Sequence, residues 1–166
     1  MAEQTEYKQA IFKAAGKNSF FEVYDALDIN KFRLQVQLND PETHKATQRA
    51  TYYLNYDKMW TLCALALNGN LNDFLAEKRG FPSVDFGIPP ASTNSTRMRQ
   101  LTISPLTEKN RHMITIIEKE RQDEWSKDAP DIAKATFFLS PVDLVTMAKK
   151  LDWYIGNFLT NNPDKF

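Results

Sequence analysis

The chain has 166 residues, 42% of them hydrophobic and 12% aromatic, enough to bury the core of one domain and too apolar to stay disordered. Lys+Arg and Asp+Glu stand at 21 each, so net charge exerts no whole-protein pull on nucleic acid, and such a function must rest on local asymmetry. The single cysteine, Cys63, excludes a disulfide framework and a thiol-based zinc site, and no apolar run reaches the ~18 residues of a membrane span.

The opening MAEQTEYKQ is polar and carries no apolar leader, so a cytoplasmic protein is expected. Tyr7–Ala14 alternates loosely and predicts a first strand, closed by a Gly16-Lys17-Asn18 turn. Ser19–Leu27, with Phe20, Phe21, Val23 and Tyr24, suits a second. Lys31–Leu38 alternates strictly: Phe32, Leu34, Val36 and Leu38 face one way, Lys31, Arg33, Gln35 and Gln37 the other. After Asn39-Asp40-Pro41, a fourth strand over Thr47–Leu54 carries Arg49, Tyr52 and Tyr53.

A helix follows from about Asn55 to Arg79, with Tyr56, Met59, Trp60, Cys63, Ala66 and Leu67 on one face. Asn68-Gly69-Asn70 is placed to interrupt it and split off a short piece from Leu71. The stretch 81–96, rich in Pro, Ser, Thr and Asn, reads as a long connection, of a length that is functional or mobile. Strands are predicted again over Arg97–Ile103, Arg111–Arg121 and Lys134–Leu139, with Lys109-Asn110 at a hairpin tip and a loop over Trp125–Asp131. Ser140 is a helix N-cap, Pro141 fits the first helical position and Asp143 favours the positive helix end. The helix runs to about Asn161 with a stripe of Leu144, Ala148, Leu151, Ile155 and Phe158; a polar tail over 161–166 completes a single domain spanning 1–166.

No residue set announces catalysis. His44 and His112 have no metal-ligand spacing to another His, Cys or carboxylate, and Cys63 belongs to an apolar helix face. Asp123 and Glu124 are adjacent and would point to opposite faces of a strand, and Gly16, Gly80 and Gly87 form no phosphate-cradling loop. A non-enzymatic protein without cofactor or metal is expected.

The basic residues make a better case. Between Arg97 and Arg121 lie Arg97, Arg99, Lys109, Arg111, Lys119 and Arg121 against Glu108, Glu118 and Glu120; from Asp123 to Asp143 acids dominate. Single-stranded nucleic acid is held by backbone-tracking positive charge combined with aromatic faces for unpaired bases. Lys8, Lys13, Lys31, Arg33, Arg49, Arg97, Arg99 and Arg111 are the candidate phosphate contacts, and Phe12 and Tyr53 the candidate base platforms, Tyr53 because it shares a strand face with Arg49 and Thr51. The competing reading is an ordinary solvated sheet in a structural or protein-interaction module, a virion or assembly component, with the 81–96 segment as its docking loop.

Several segments resemble the Whirly family of single-stranded DNA-binding proteins, known from plants and similar to proteins of some lactococcal phages. These are Tyr7-Lys8 opening the first strand, the alternating Lys31–Leu38, Tyr52–Leu62 (YYLNYDKMWTL) running from strand into helix, Arg97–Pro105 (RMRQLTISP) restarting the sheet, and Leu139–Leu144 (LSPVDL) entering the last helix. After Tyr7-Lys8 the chain reads Gln9-Ala10, without the plant family's lysine–glycine–lysine–alanine signature. The resemblance implies an α+β fold of two antiparallel four-stranded sheets, each followed by a helix. It further implies a homotetramer with helices at its centre, and single-stranded DNA held along sheet edges with little sequence preference. A phage protein of replication or recombination in the host cytoplasm, with a host recombinase as a candidate partner, is the version expected.

Overall fold

The computed structural model describes residues 9–165. A first antiparallel sheet takes the order β1 (Phe12–Ala15), β2 (Ser19–Ala26), β3 (Lys31–Asn39), β4 (Ala46–Asn55), and leads into helix α1 (Tyr56–Leu67) and the short α2 (Leu71–Leu75). A second sheet, β5 (Val84–Gly87), β6 (Arg97–Leu106), β7 (Arg111–Glu120), β8 (Asp131–Leu139), leads into α3 (Pro141–Asn161). The fold is therefore α+β, two four-stranded antiparallel meanders each followed by a helix, as the resemblance implies.

Alternation decides which side of the first sheet is buried. Phe32, Leu34 and Val36 of β3 sit opposite Leu54, Tyr52 and Ala50 of β4, and all six are buried. Phe21 and Val23 of β2, with Phe12 and Ala14 of β1, continue that inner face. In the second sheet Leu101, Ile103, Ile114, Ile116, Ala135 and Phe137 form its counterpart. The sheets meet through these faces, with the Phe21 and Phe137 rings stacked at 5.9 Å.

The helices close the core. Leu144, Met147, Ala148, Leu151 and Ile155 of α3 are buried, each larger one contributing about 1.5–3 kcal/mol by leaving water. Ser140 caps α3 as its sequence predicts, accepting from the Asp143 N–H at 3.1 Å, with Pro141 at the first position. In α1 the inward residues are Met59, Leu62 and Cys63. Trp60 lies at the rim, its Nε1 donating to Asp152 Oδ1 of α3 at 2.7 Å.

Three expectations need correction. The first helix ends at Leu67, where Asn68 and Gly69 (φ +74°) turn the chain; residues 71–75 form only a short helix, and 76–79 are not helical. The 81–96 segment is not a structureless connection: it contains β5 and a 3-10 turn, Ala91–Thr93. Four-residue β5 is too short for periodicity to reveal, yet it is the fourth strand of the second sheet. Finally, within the described residues the first strand starts only at Phe12.

The β2–β3 and β6–β7 hairpins turn by one device. A 3-10 turn (Leu27–Ile29, Thr107–Lys109) is followed by an asparagine in the left-handed region, Asn30 (φ 58°) and Asn110 (φ 48°), and then by a basic residue opening the next strand, Lys31 or Arg111. Asparagine tolerates that conformation because its short polar side chain bonds locally. The repeated element order thus extends to the turns, without repeating the sequence.

Candidate nucleic-acid interface

The outer face of the first sheet carries the polar residues of the alternating strands. Registers place Tyr24 of β2, Arg33 of β3 and Tyr53 of β4 side by side across three strands. The Arg33 guanidinium lies 4.3 Å from the Tyr24 ring centre, a cation–π distance. One strand-pair further along, Gln35 faces Glu22, and Gln37 faces both Phe20 and Arg49. Glu22 is the hub here. It accepts from the Tyr24 hydroxyl at 2.7 Å and from Gln35 at 3.3 Å, and pairs with Lys13 at 3.1 Å. Burial, reinforced by that bond to Glu22, pushes the Tyr24 phenol above its ordinary pKa, so it stays a neutral donor.

The row continues onto the second sheet. Arg99 of β6 lies beside Tyr53, its guanidinium carbon 5.4 Å from the ring centre, although the two residues belong to different sheets. Arg99 Nε donates to Glu118 of β7 at 2.8 Å, and Arg97 Nη1 reaches the other carboxylate oxygen at 3.5 Å. Tyr24, Arg33, Tyr53 and Arg99 therefore alternate ring and cation from one sheet to the other, and the ion pairs of Glu118 with Arg99 and Arg97 extend the row.

Beside this row runs a groove of about 350 Å³. Lys31, Tyr53 and Arg99 line it together with Ile29, Gly87 and the Ile88-Pro89-Pro90 run. The proline wall is held by Arg121, whose Nη1 donates to the carbonyls of Pro90 at 3.1 Å and Ser95 at 3.4 Å. Below the groove, Tyr52 donates to Asp85 of β5 at 2.7 Å, and Asp85 also pairs with Lys58 of α1. Burial and then Asp85 push the Tyr52 phenol far up, so it stays a neutral donor. Gly87 lies over the Tyr52 ring, where a Cβ would be in ordinary contact at 3.6 Å.

The structure brings Lys31, Arg33, Tyr53 and Arg99 together, with Arg97 behind Arg99. Arg49 shares their sheet face four residues from Tyr53, exposed and donating to Gln37 Oε1 at 2.7 and 3.2 Å. Lys13 shares that face too, with its ammonium over Phe20. Phe12 does not belong: it is 3% exposed and packs edge-on to Phe21 in the core, so the proposed base platform in the first strand is overturned. Strand alternation puts Lys13 outward and therefore its neighbour Phe12 inward. Arg111 is also remote, roughly 20 Å along the strand from Arg99 and on the other face of the second sheet. Lys8 lies outside the described residues.

Sequence reasoning missed Tyr24, Phe20, Glu118 and the Ile88-Pro89-Pro90 wall. The alternation Phe20-Glu22-Tyr24 against Phe21-Val23 carried the signal for the first two; nothing local marked the others. No group of three or more His, Cys, Asp or Glu able to hold a metal occurs among the described residues. Cys63 is buried, and its thiol is pushed up to about 12 chiefly by that burial, leaving it no nucleophile.

No family model matches the sequence, and no curated protein matches it. Solved structures do. WHY1 from Arabidopsis thaliana superposes with a TM-score of 0.62 at 10% identity, covering 97% of this chain and 93% of that one. The plant transcriptional regulator PBF-2 gives 0.58 at 10% identity over 93% and 86%. WHY3 from Arabidopsis thaliana gives 0.54 at 8% identity over 89% and 83%. The chain has the Whirly fold. The likeness extends over most of both chains, between 83% and 93% of these Whirly structures. At such identity the Whirly likeness concerns the backbone; side chains at the groove are this chain's own.

Proposed function

We propose that this protein binds single-stranded DNA, without catalysis and with little sequence preference, along the row that joins the two sheets. The observation carrying this is Arg33 over Tyr24 with Arg99 over Tyr53: two guanidinium groups and two rings alternating beside an apolar groove. Lys31, Arg33, Arg49, Arg97 and Arg99 meet phosphates, while Tyr53 and the Ile29 and Ile88 side chains receive unpaired bases, a combination that tolerates every base. Equal numbers of acids and bases do not oppose this, because Lys31, Arg33 and Arg99 are gathered locally where the two sheets meet.

A homotetramer completes the reading. Val142 (74% exposed) and Trp153 (71% exposed) on α3 leave apolar surface uncovered in one protomer, next to a hollow lined by Ile11, Lys149, Lys150 and Tyr154. Copies joined there would set several grooves on one assembly and raise avidity. The resemblance to phage Whirly-like proteins supports a role in replication or recombination of phage DNA in the host cytoplasm, with a host recombinase as the protein partner.

The deciding experiment is fluorescence anisotropy with a labelled oligo-dT of about 30–40 nucleotides, against duplex of equal length, over a range of salt. Tight binding to the single strand that weakens steeply with salt is expected. No binding at low salt would leave a protein-interaction scaffold.

A further inference from the structure

We propose that Glu118 is a positioning residue of this interface: its buried carboxylate holds Arg99 against the Tyr53 ring and so presents the guanidinium to the nucleic acid. The inference rests on the single-stranded DNA reading above. Glu118 continues the inner-face row of Ile114 and Ile116, where an apolar side chain would suit the core better, and its side chain is only 3% exposed. A carboxylate removed from water is retained only when paired and hydrogen-bonded. Both partners are arginines, Arg99 Nε at 2.8 Å and Arg97 Nη1 at 3.5 Å, so one acid serves two cations and a net positive charge remains.

The geometry gives that charge a direction. Arg99 springs from the second sheet yet covers Tyr53 on the first, so its long side chain is fixed at Nε by Glu118 and along its plane by the ring. An arginine has five N–H donors, and Glu118 engages the one on Nε; the four on the Nη atoms remain for phosphate. An unsupported arginine loses substantial rotamer freedom when it meets a ligand, whereas this one is ordered beforehand.

Simple electrostatics predicts the opposite sign. A carboxylate near a polyanion repels it, so Glu118→Gln would tighten binding and steepen its salt dependence. As a positioning residue, Glu118 gives the reverse. The Gln variant should bind labelled oligo-dT about two- to fivefold more weakly, the worth of one cation–π arrangement, with an unchanged salt slope. In an Arg99→Ala background the same substitution should then have no further effect, as a double-mutant cycle reads out. Equal or tighter binding by Glu118→Gln, or a loss that persists without Arg99, overturns the assignment while leaving the DNA reading intact. Wild-type protein that binds no oligo-dT overturns both. Should thermal melts show Glu118→Gln unfolded, Glu118→Asp, which keeps the charge but withdraws it by one methylene, must also bind more weakly, and wild-type affinity there refutes the inference.

Discussion

Replacing Lys31 and Arg33 together by alanine separates binding from folding. Both residues lie on the outer face of β3, half-buried, away from the packed side formed by Phe32, Leu34 and Val36. In the folded state the double substitution removes the cation–π pair of Arg33 with Tyr24, worth about 0.5–1 kcal/mol. Part of that is offset, because Arg33 Nε is buried with no hydrogen-bond partner among the described residues, and removing an unsatisfied donor is favourable. The melting temperature should therefore fall by no more than about 2–4 °C. Binding responds differently. Two phosphate contacts to a single strand account for roughly 1.4 of the slope of log affinity against log salt. Raising salt from about 50 to about 200 mM should thus weaken the wild type roughly sevenfold more than the double variant. Anisotropy titrations at several salt concentrations, with melts alongside, measure both quantities. A double variant with the wild-type slope would refute the assignment of these two side chains to the phosphate backbone.

Phe12→Ala should behave inversely, costing about 3–5 kcal/mol of stability as a core cavity yet leaving oligonucleotide binding unchanged below its lowered melting temperature; lost binding without lost stability would return Phe12 to the interface. Trp153→Asp should dissociate the assembly in sedimentation while changing protomer stability by no more than about 0.5 kcal/mol, and an unchanged sedimentation profile would contradict packing through α3. Leu151, wholly buried within one chain, cannot serve that test, because a charge there unfolds the protomer. Cys63, with its thiol pushed up to about 12, should resist alkylation in the folded protein near neutral pH and react fully in denaturant; rapid native labelling, followed by mass spectrometry, would contradict its burial. Burial holds His112 below its ordinary pKa, so the folded state binds fewer protons there, and stability present above about pH 6.5 is lost as pH falls toward the lowered value. Urea denaturation at about pH 7.5 and about pH 5.5 should show His112→Gln losing less stability on acidification than the wild type; equal losses would contradict this.

Much of the fold was legible because its strongest elements obey local rules. Lys31–Leu38 alternates without a fault, and Ser140-Pro141 with Asp143 spells a helix start; both elements stand where their residues place them. β5 was illegible because four residues contain no period, and it is held by long-range bonds from Tyr52 and Lys58 through Asp85. The end of α1 was overrun because Leu71–Leu75 resumes a helical pattern after the Asn68-Gly69 turn. Of the interface, side was legible and neighbourhood was not. Alternation put Lys31, Arg33, Arg49 and Tyr53 on one face, but the meeting of Tyr53 with Arg99 depends on how two sheets cross, which no local pattern encodes. Phe12 misleads because its flanking lysines draw attention to charge rather than to the parity of the strand.

Two halves with one element order suggest a duplicated unit that could be cut in two. The Asp85 tether argues otherwise. The chain from Met1 to Gly80 would keep Tyr52 and Lys58 but lose the acceptor that binds both, and the rest of the chain would keep Asp85 without either donor. Phe21 would likewise lose Phe137, and Trp60 would lose Asp152. Each half therefore lacks contacts that the other supplies. The fragments are complementary parts, each carrying the other's missing wall, and they should acquire structure only when mixed.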